Sequence, residues 1–360
     1  MNILGIGTIF SQGSGIDALE SALENGPLQP ADVDALYGAD GKRKAFTVDF
    51  DSVPDKGMLK KIRRADKLSK MSVVAAAAAV TDSGITDLSD KRVGIILSTA
   101  FGAHVTTFEF LDGIIDYGEK NVSPTSFSNS VHNAAASYIS TSLDIKGPTL
   151  TVARFRFSFQ SALELGKSWL EQGRCDYLLL GAVDQYGDVL GYVSENKLNP
   201  ALEGEIKPFS FGQGGHIPGE CSVFFLLGHE LTSSSYCSID GVYTAHDPNS
   251  AEKVNLNVLS ADGMLKDESL YLQHLSPEIS VAAYSPLFGS IMTGGAMNIA
   301  AAALTIKKQQ TYASPGNSAF PGLKIVNASE PSTISTIRCI DVNCRGECAT
   351  VYLGRLRDIT

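Results

Sequence analysis

Residues 147–163 read GPTLTVARFRFSFQSAL, and the change of character within this stretch decides the fold. After the Gly147-Pro148 turn, Thr149, Leu150, Thr151 and Val152 are β-branched or apolar, which predicts a strand. From Ser158 onward, small and apolar residues at Ser158, Ala162 and Leu165 predict a helix. Ala153 to Phe157 must then make a sharp strand-to-helix turn. Enzymes often place a nucleophile at such a turn, because a helix N-terminus lowers a thiol pKa and offers backbone N–H groups to an oxyanion. This turn has neither Cys nor Ser at its tip; it carries Arg154, Phe155, Arg156 and Phe157. An arginine stays protonated, with a pKa above ~12, and cannot act as a nucleophile.

The surrounding chain is long enough for more than one core at 360 residues, so two halves are expected. An apolar fraction of 44% and a charged fraction of 19% predict a globular protein with a large interior. The longest apolar run, Val73 to Val80, is too short to cross a bilayer. The N-terminus, MNILGIGTIF, has no basic region and no small-residue cleavage site, so it reads as a first strand and the protein as cytoplasmic. The six cysteines stand mostly in apolar strand-like runs and read as buried thiols, and Cys344 and Cys348 lack the companions a zinc site needs. No metal or cofactor is expected. A net charge of −10 argues against nucleic acid.

Along the chain, Asn2 to Phe10 reads as a strand and Ser14 to Glu24 as a helix, whereas 26–55 reads as loop. Lys56 to Lys70 holds seven basic residues, among them Lys60, Lys61, Arg63 and Arg64, against the single acid Asp66. That run is either a solvated helical face or a docking patch for an acidic partner. Met71 to Gly84 is Ala-rich and apolar all round, hence a buried helix. Later segments read as strands at Lys91 to Ser98 and Asp176 to Asp184, strand–helix–strand over 253–283, a helix over Gly289 to Gln309 and a strand pair over 337–354.

Several of these segments together resemble the β-ketoacyl synthases, condensing enzymes of the thiolase fold. Residues 147–160 resemble that family's GP-x-L-T-V-D-T-A-C-S-S-S-L, with Arg156 at the place of the nucleophilic cysteine. Lys207 to Leu227, KPFSFGQGGHIPGECSVFFLL, is similar to P-F-D-x-x-R-D-G-F-V-x-G-E-G-A-x-x-L-x-L, with Pro208, Phe209, Gly215, Gly219 and Glu220 in register. Ser123 to Phe127 with Asn133 to Ser137, and the Gly-Ala-Val-Asp end of Asp176 to Asp184, match further family motifs. The resemblance implies an α/β thiolase-like fold. Two βαβαβαββ halves, 1–234 and 235–360, would form a five-layer αβαβα arrangement. It also implies that Phe127 and Asn133 belong to a dimer interface or acyl tunnel.

The same resemblance implies that the chemistry is gone. The family's two histidines and its lysine fall at Asp262, Ser290 and Ser285, and its Gly-rich gating loop appears as Asn343 to Cys348 with one glycine. Of the six histidines, only His216 stands in any family motif, in the scaffold loop. Arg156 should pair with a carboxylate, Asp262 being one candidate, or protrude into solvent or across an interface, because a buried unpaired guanidinium costs several kcal/mol. Phe155, Phe157 and Phe159 read as core, or as a plug where an acyl chain would lie. The pattern resembles chain-length factors, the catalytically dead ketosynthase homologues. These implied properties predict a non-catalytic subunit that pairs with an active ketosynthase, shapes its acyl tunnel and meets acyl carrier protein, with no membrane span. The alternatives are a thioester enzyme using other residues and a non-enzymatic acyl- or carrier-binding homodimer.

Overall fold

Gly5 and Gly7 set the packing of the first half. Both lie in strand β1 (Asn2–Phe10), where a Cβ would come within 2.3 Å of the Ala79 carbonyl oxygen and 2.0 Å of that of Ala75. A glycine-notched strand against an alanine-rich helix brings the two backbones into direct contact. That helix, α2 (Lys67–Asp82), follows α1 (Ile16–Asn25). It begins four residues earlier than the apolar run suggests, because Asp66 caps it by accepting from Ser69 N at 2.9 Å. The computed structural model describes residues 1–360 except 35–40, 89, 199, 202–203, 212–214, 245–253, 268, 317–319 and 357–360. Residues 26–55 are not all loop. Ala31–Asp34 and Lys42–Ala45 pair as a short antiparallel hairpin whose weak alternation hid it.

The first half continues through β2 (Val93–Thr99), α3 (His104–Tyr117), α4 (Ala134–Ser142), β3 (Thr149–Ala153), α5 (Ser158–Glu171), β4 (Tyr177–Asp184), α6 (Asp188–Lys197) and β5 (Cys221–Gly228). The second contains β6 (Cys237–Tyr243), β7 (Leu256–Leu259), β8 (Ser280–Ala282), α7 (Gly294–Lys308), β9 (Thr336–Val342) and β10 (Cys348–Gly354). In space the first five strands run β3-β2-β4-β5-β1 and the second five β8-β7-β9-β10-β6. The order is the same in both. In each half the fifth strand lies antiparallel between the first and the fourth, and the other pairs are parallel. Strands β1 and β6 join the two sets through Asn2–Ser238 and Ile3–Cys237.

The layers follow from which faces are apolar. Helices α2 and α4 cover the outer face of the first sheet. Helix α5 touches β2 and β4 but also β6 and β10, while α7 touches β7 and β9 but also β5, so both are sandwiched between the sheets. The central core joins Phe159, Leu163 and Phe225 to the Ala300–Ala303 stripe of α7. A smaller cluster around Phe209, Tyr271 and Ile340 covers the far face of the second sheet. This is the duplicated thiolase-like α/β architecture that the resemblance implies. Among the described residues no helix is long and apolar enough to cross a membrane. Cys175, Cys221, Cys237 and Cys339 are buried.

Candidate functional site

Parallel strands leave a crevice at their C-terminal ends, the usual place for chemistry in such sheets. Here β3, β7, β8 and β9 are followed by Arg154–Phe157, Asp262, Ser285 and Asn343 respectively, while Asp184 is the last residue of β4 and Asp341 stands one residue before the end of β9. The turn after β3 is held by Phe157, which takes a left-handed conformation (φ 60, ψ 24) as it enters α5. Such a conformation costs a non-glycine residue about 1 kcal/mol or more. It is sustained by burial, since Phe157 is 2% exposed.

Arg156 turns into the gap between the halves. Its Nη1 lies 3.9 Å from Asp341 Oδ1 and its Nη2 lies 3.6 Å from Met264 Sδ. Asp341 is thus a charge partner that the aligned motif does not name. Asp262 also faces Arg156 electrostatically, and more strongly than Asp341 does, while its Oδ1 accepts from Met264 N at 3.0 Å. The signal for Asp341 was its place at the end of an apolar strand, where an unpaired carboxylate needs a cation, but nothing in sequence tied it to residue 156. Burial raises the pKa of Asp341 to about 6; the Arg156 charge and a hydrogen bond from the Gln160 side chain partly offset this, while Asp262 adds to it. Burial also raises the pKa of Asp262, against the pull of Arg156.

The degenerate positions Asp262 and Ser290 are brought together. Ser290 Oγ donates to the Asp262 carbonyl at 2.5 Å and accepts from Ile217 N at 3.2 Å. Gly263 (φ +81) packs so closely on Gly215 and His216 N that a Cβ there would come within 2.1 Å of the Gly215 carbonyl oxygen. The scaffold loop after residue 207 is therefore laced to both lost histidine positions, although its residues 212–214 lie outside the described residues. Ser285 is buried in a one-turn helix, and its carbonyl accepts from Gly289 N at 2.7 Å. Glu220 is a structural acid: it accepts from Val48 N at 2.7 Å and Tyr186 N at 3.1 Å and pairs with Lys67. Lys67 consequently leaves the basic run, whereas Lys60, Lys61, Arg63 and Arg64 are exposed.

Beside Arg156 lies a cavity of about 200 Å³ with apolar walls from Phe101, Phe155, Leu190, Met264, Ile291 and Met292. Its polar members include Asp184, Ser290 and a hydrogen-bonded pair, Ser194 and His216. Asp184 Oδ1 accepts from Thr99 Oγ1 at 2.8 Å and Ala100 N at 2.9 Å, tying β4 to the loop after β2. Of the three aromatics, Phe155 is 65% exposed and stacks edge-on against Phe101, while Phe159 is 1% exposed and packs on Phe225 in the core. Phe127 is exposed against Phe110, and Asn133 is exposed at the start of α4. Strand β3 ends its sheet, with Thr149, Leu150 and Ala153 exposed.

Comparison with known proteins matches the chain to the family model of the β-ketoacyl synthase N-terminal domain over residues 1–232. A polyketide β-ketoacyl synthase of Streptomyces cyaneus is 26% identical over 266 residues, covering 67% of this chain and 62% of that protein. A 3-oxoacyl-[acyl-carrier-protein] synthase 2 of Staphylococcus aureus is 28% identical over 170 residues, covering 45% of this chain and 41% of that protein. The chain thus spans less than two thirds of the length of these curated relatives. In structure, the ishigamide ketosynthase/chain length factor superposes with a TM-score of 0.80 at 16% identity, over 99% of both chains, which establishes likeness of fold.

Proposed function

The chain belongs to the β-ketoacyl synthase family, and on that premise we propose that it is a condensation-dead subunit. It pairs with an active ketosynthase in polyketide, aryl-polyene or fatty-acid-like chain synthesis, in the manner of a chain-length factor. The observation that carries this reading is Arg156. It fills the turn where the family's thiolate would stand, and its charge faces two carboxylates, Asp262 and, at 3.9 Å, Asp341. Condensation needs a thiolate to hold the acyl chain and hydrogen-bond donors for the enolate oxygen. Asp262 and Ser290 supply neither imidazole.

A subunit without its own condensation chemistry acts through what it touches. The open edge of β3, with Leu150 41% exposed, is the kind of surface that seeks a strand or apolar face, and Phe127 is a second exposed apolar side chain at 59%. Docking there would set Phe155 near the partner's chain. The exposed Lys60, Lys61, Arg63 and Arg64 suit the acidic surface of acyl carrier protein. We place the boundary between the halves at 234/235 and the protein in the cytoplasm on the same reading. The test is co-expression with candidate ketosynthases from the same operon. A stable one-to-one complex that condenses only when both chains are present supports the proposal. A chain that forms only homodimers, or that decarboxylates malonyl thioesters alone, overturns it.

A further inference from the structure

Ser194 and His216 meet inside the apolar cavity, and neither has a part in the pairing role proposed above. Ser194 Oγ lies 2.5 Å from His216 Nε2. The two residues are 5% and 2% exposed, and both line the cavity whose walls include Phe155, Met264 and Ile291. In an apolar wall a buried hydroxyl and imidazole cost desolvation that a hydrocarbon would not, and here they meet that cost by bonding to each other. The segment carrying His216 is pinned from two sides. Ser290 N donates to the Ile217 carbonyl at 2.7 Å, and Gly263 abuts His216 N. The Asp262 carboxyl, one residue before Gly263, is electrostatically coupled to His216. A hydroxyl bonded to an imidazole that feels a carboxylate is the arrangement that activates a serine, because the negative charge stabilises the imidazolium formed on proton transfer.

We propose that Ser194 is an acyl acceptor and His216 its general base, acting on acyl thioesters whose unbranched apolar chain fills this cavity. Ser194 Oγ attacks the thioester carbonyl as His216 Nε2 takes its proton. The C–S bond breaks, and the thiolate leaves with the proton from His216. Water then attacks the serine ester, giving its proton to His216, which returns it to Ser194 Oγ as the carboxylic acid departs. The balance is acyl thioester plus water to carboxylic acid plus thiol. The activity would remove stalled acyl groups, and it is independent of any partner, so it can fail while the pairing stands and the reverse.

The purified full chain, without a partner, is incubated with an octyl fluorophosphonate, and the adduct is mapped by peptide mass spectrometry. Stoichiometric phosphonylation of Ser194 is expected, with hydrolysis of p-nitrophenyl octanoate that the reagent abolishes. S194A should lose both, and H216Q should slow labelling by about 10²-fold or more. Circular dichroism establishes that each variant is folded. Because the site of labelling is read on the unaltered chain, an unfolded variant leaves the test intact. Absence of labelling, or labelling at another residue, overturns the proposal and leaves Ser194–His216 as a hydrogen bond of the scaffold.

Discussion

Replacing Arg156 by Met should destabilise the protein in a pH-dependent way. The guanidinium brings one positive charge to bear on both Asp341 and Asp262. Removing one member of a buried ion pair costs about 3–5 kcal/mol, because the remaining charge is left in a poor solvent. The 3.9 Å separation and the 20% exposure of Arg156 put this pair at the low end, about 3 kcal/mol. Over 360 residues, an unfolding entropy of about 2.1 cal/mol/K per residue converts that to a fall in Tm of about 4 °C. The sign of the pH effect follows from Asp341, whose pKa of about 6 lies above its unfolded value and would rise further without Arg156. A carboxyl that holds its proton more tightly when folded loses stability as pH rises through its folded pKa. The penalty should therefore be small near pH 4, grow through the range above 6, and be complete only in alkaline solution. Differential scanning calorimetry across that range measures it. In R156M/D341N and in R156M/D262N part of the loss should return, since the guanidinium charge acts on both carboxylates. A flat pH dependence, or no rescue by either asparagine, would refute this account.

R156C should not restore condensation with malonyl thioesters, even with the subunit folded, because Asp262 and Ser290 provide no imidazole; turnover by a radiolabelled assay settles it. F159A should cost about 3–5 kcal/mol through lost core packing against Phe225, while F155A, mostly exposed, should stay within about 0.5 kcal/mol, both read by denaturant unfolding. In the complex with a ketosynthase, F155A rather than F159A should change product length by chromatography, since Phe155 lines the cavity. L150K on the open edge of β3 should abolish co-purification with that partner and leave the Tm of the isolated chain unchanged. Reversing Lys60, Lys61, Arg63 and Arg64 to Glu should weaken carrier-protein binding, with the remaining affinity less sensitive to salt.

Much of this was legible in the chain itself, for a physical reason. Secondary structure here follows local periodicity: the β-branched run before Ala153, the small residues after Ser158 and the Ala-rich run at Ala75 each specify one element through contacts close in sequence. The close approach of Gly5 and Gly7 to α2, by contrast, emerged only from the structure. The missing nucleophile needed no coordinates, because a residue type either can or cannot attack a carbonyl. Segments without a strong period were read less well. The hairpin at Ala31–Asp34 and Lys42–Ala45 was hidden by its weak alternation, and the start of α2 was set by a cap rather than by apolar spacing. Three matters waited for the tertiary structure, all involving partners far apart in sequence. Arg156 came within 3.9 Å of Asp341, a residue far along the chain in the other half. Lys67 left the basic run for Glu220, 153 residues away. His216, a lone histidine in a glycine-rich loop by sequence, meets Ser194, 22 residues away, with both side chains buried. Local composition determines which elements form, but the long-range closure of the sheets decides which charges and hydroxyls face one another.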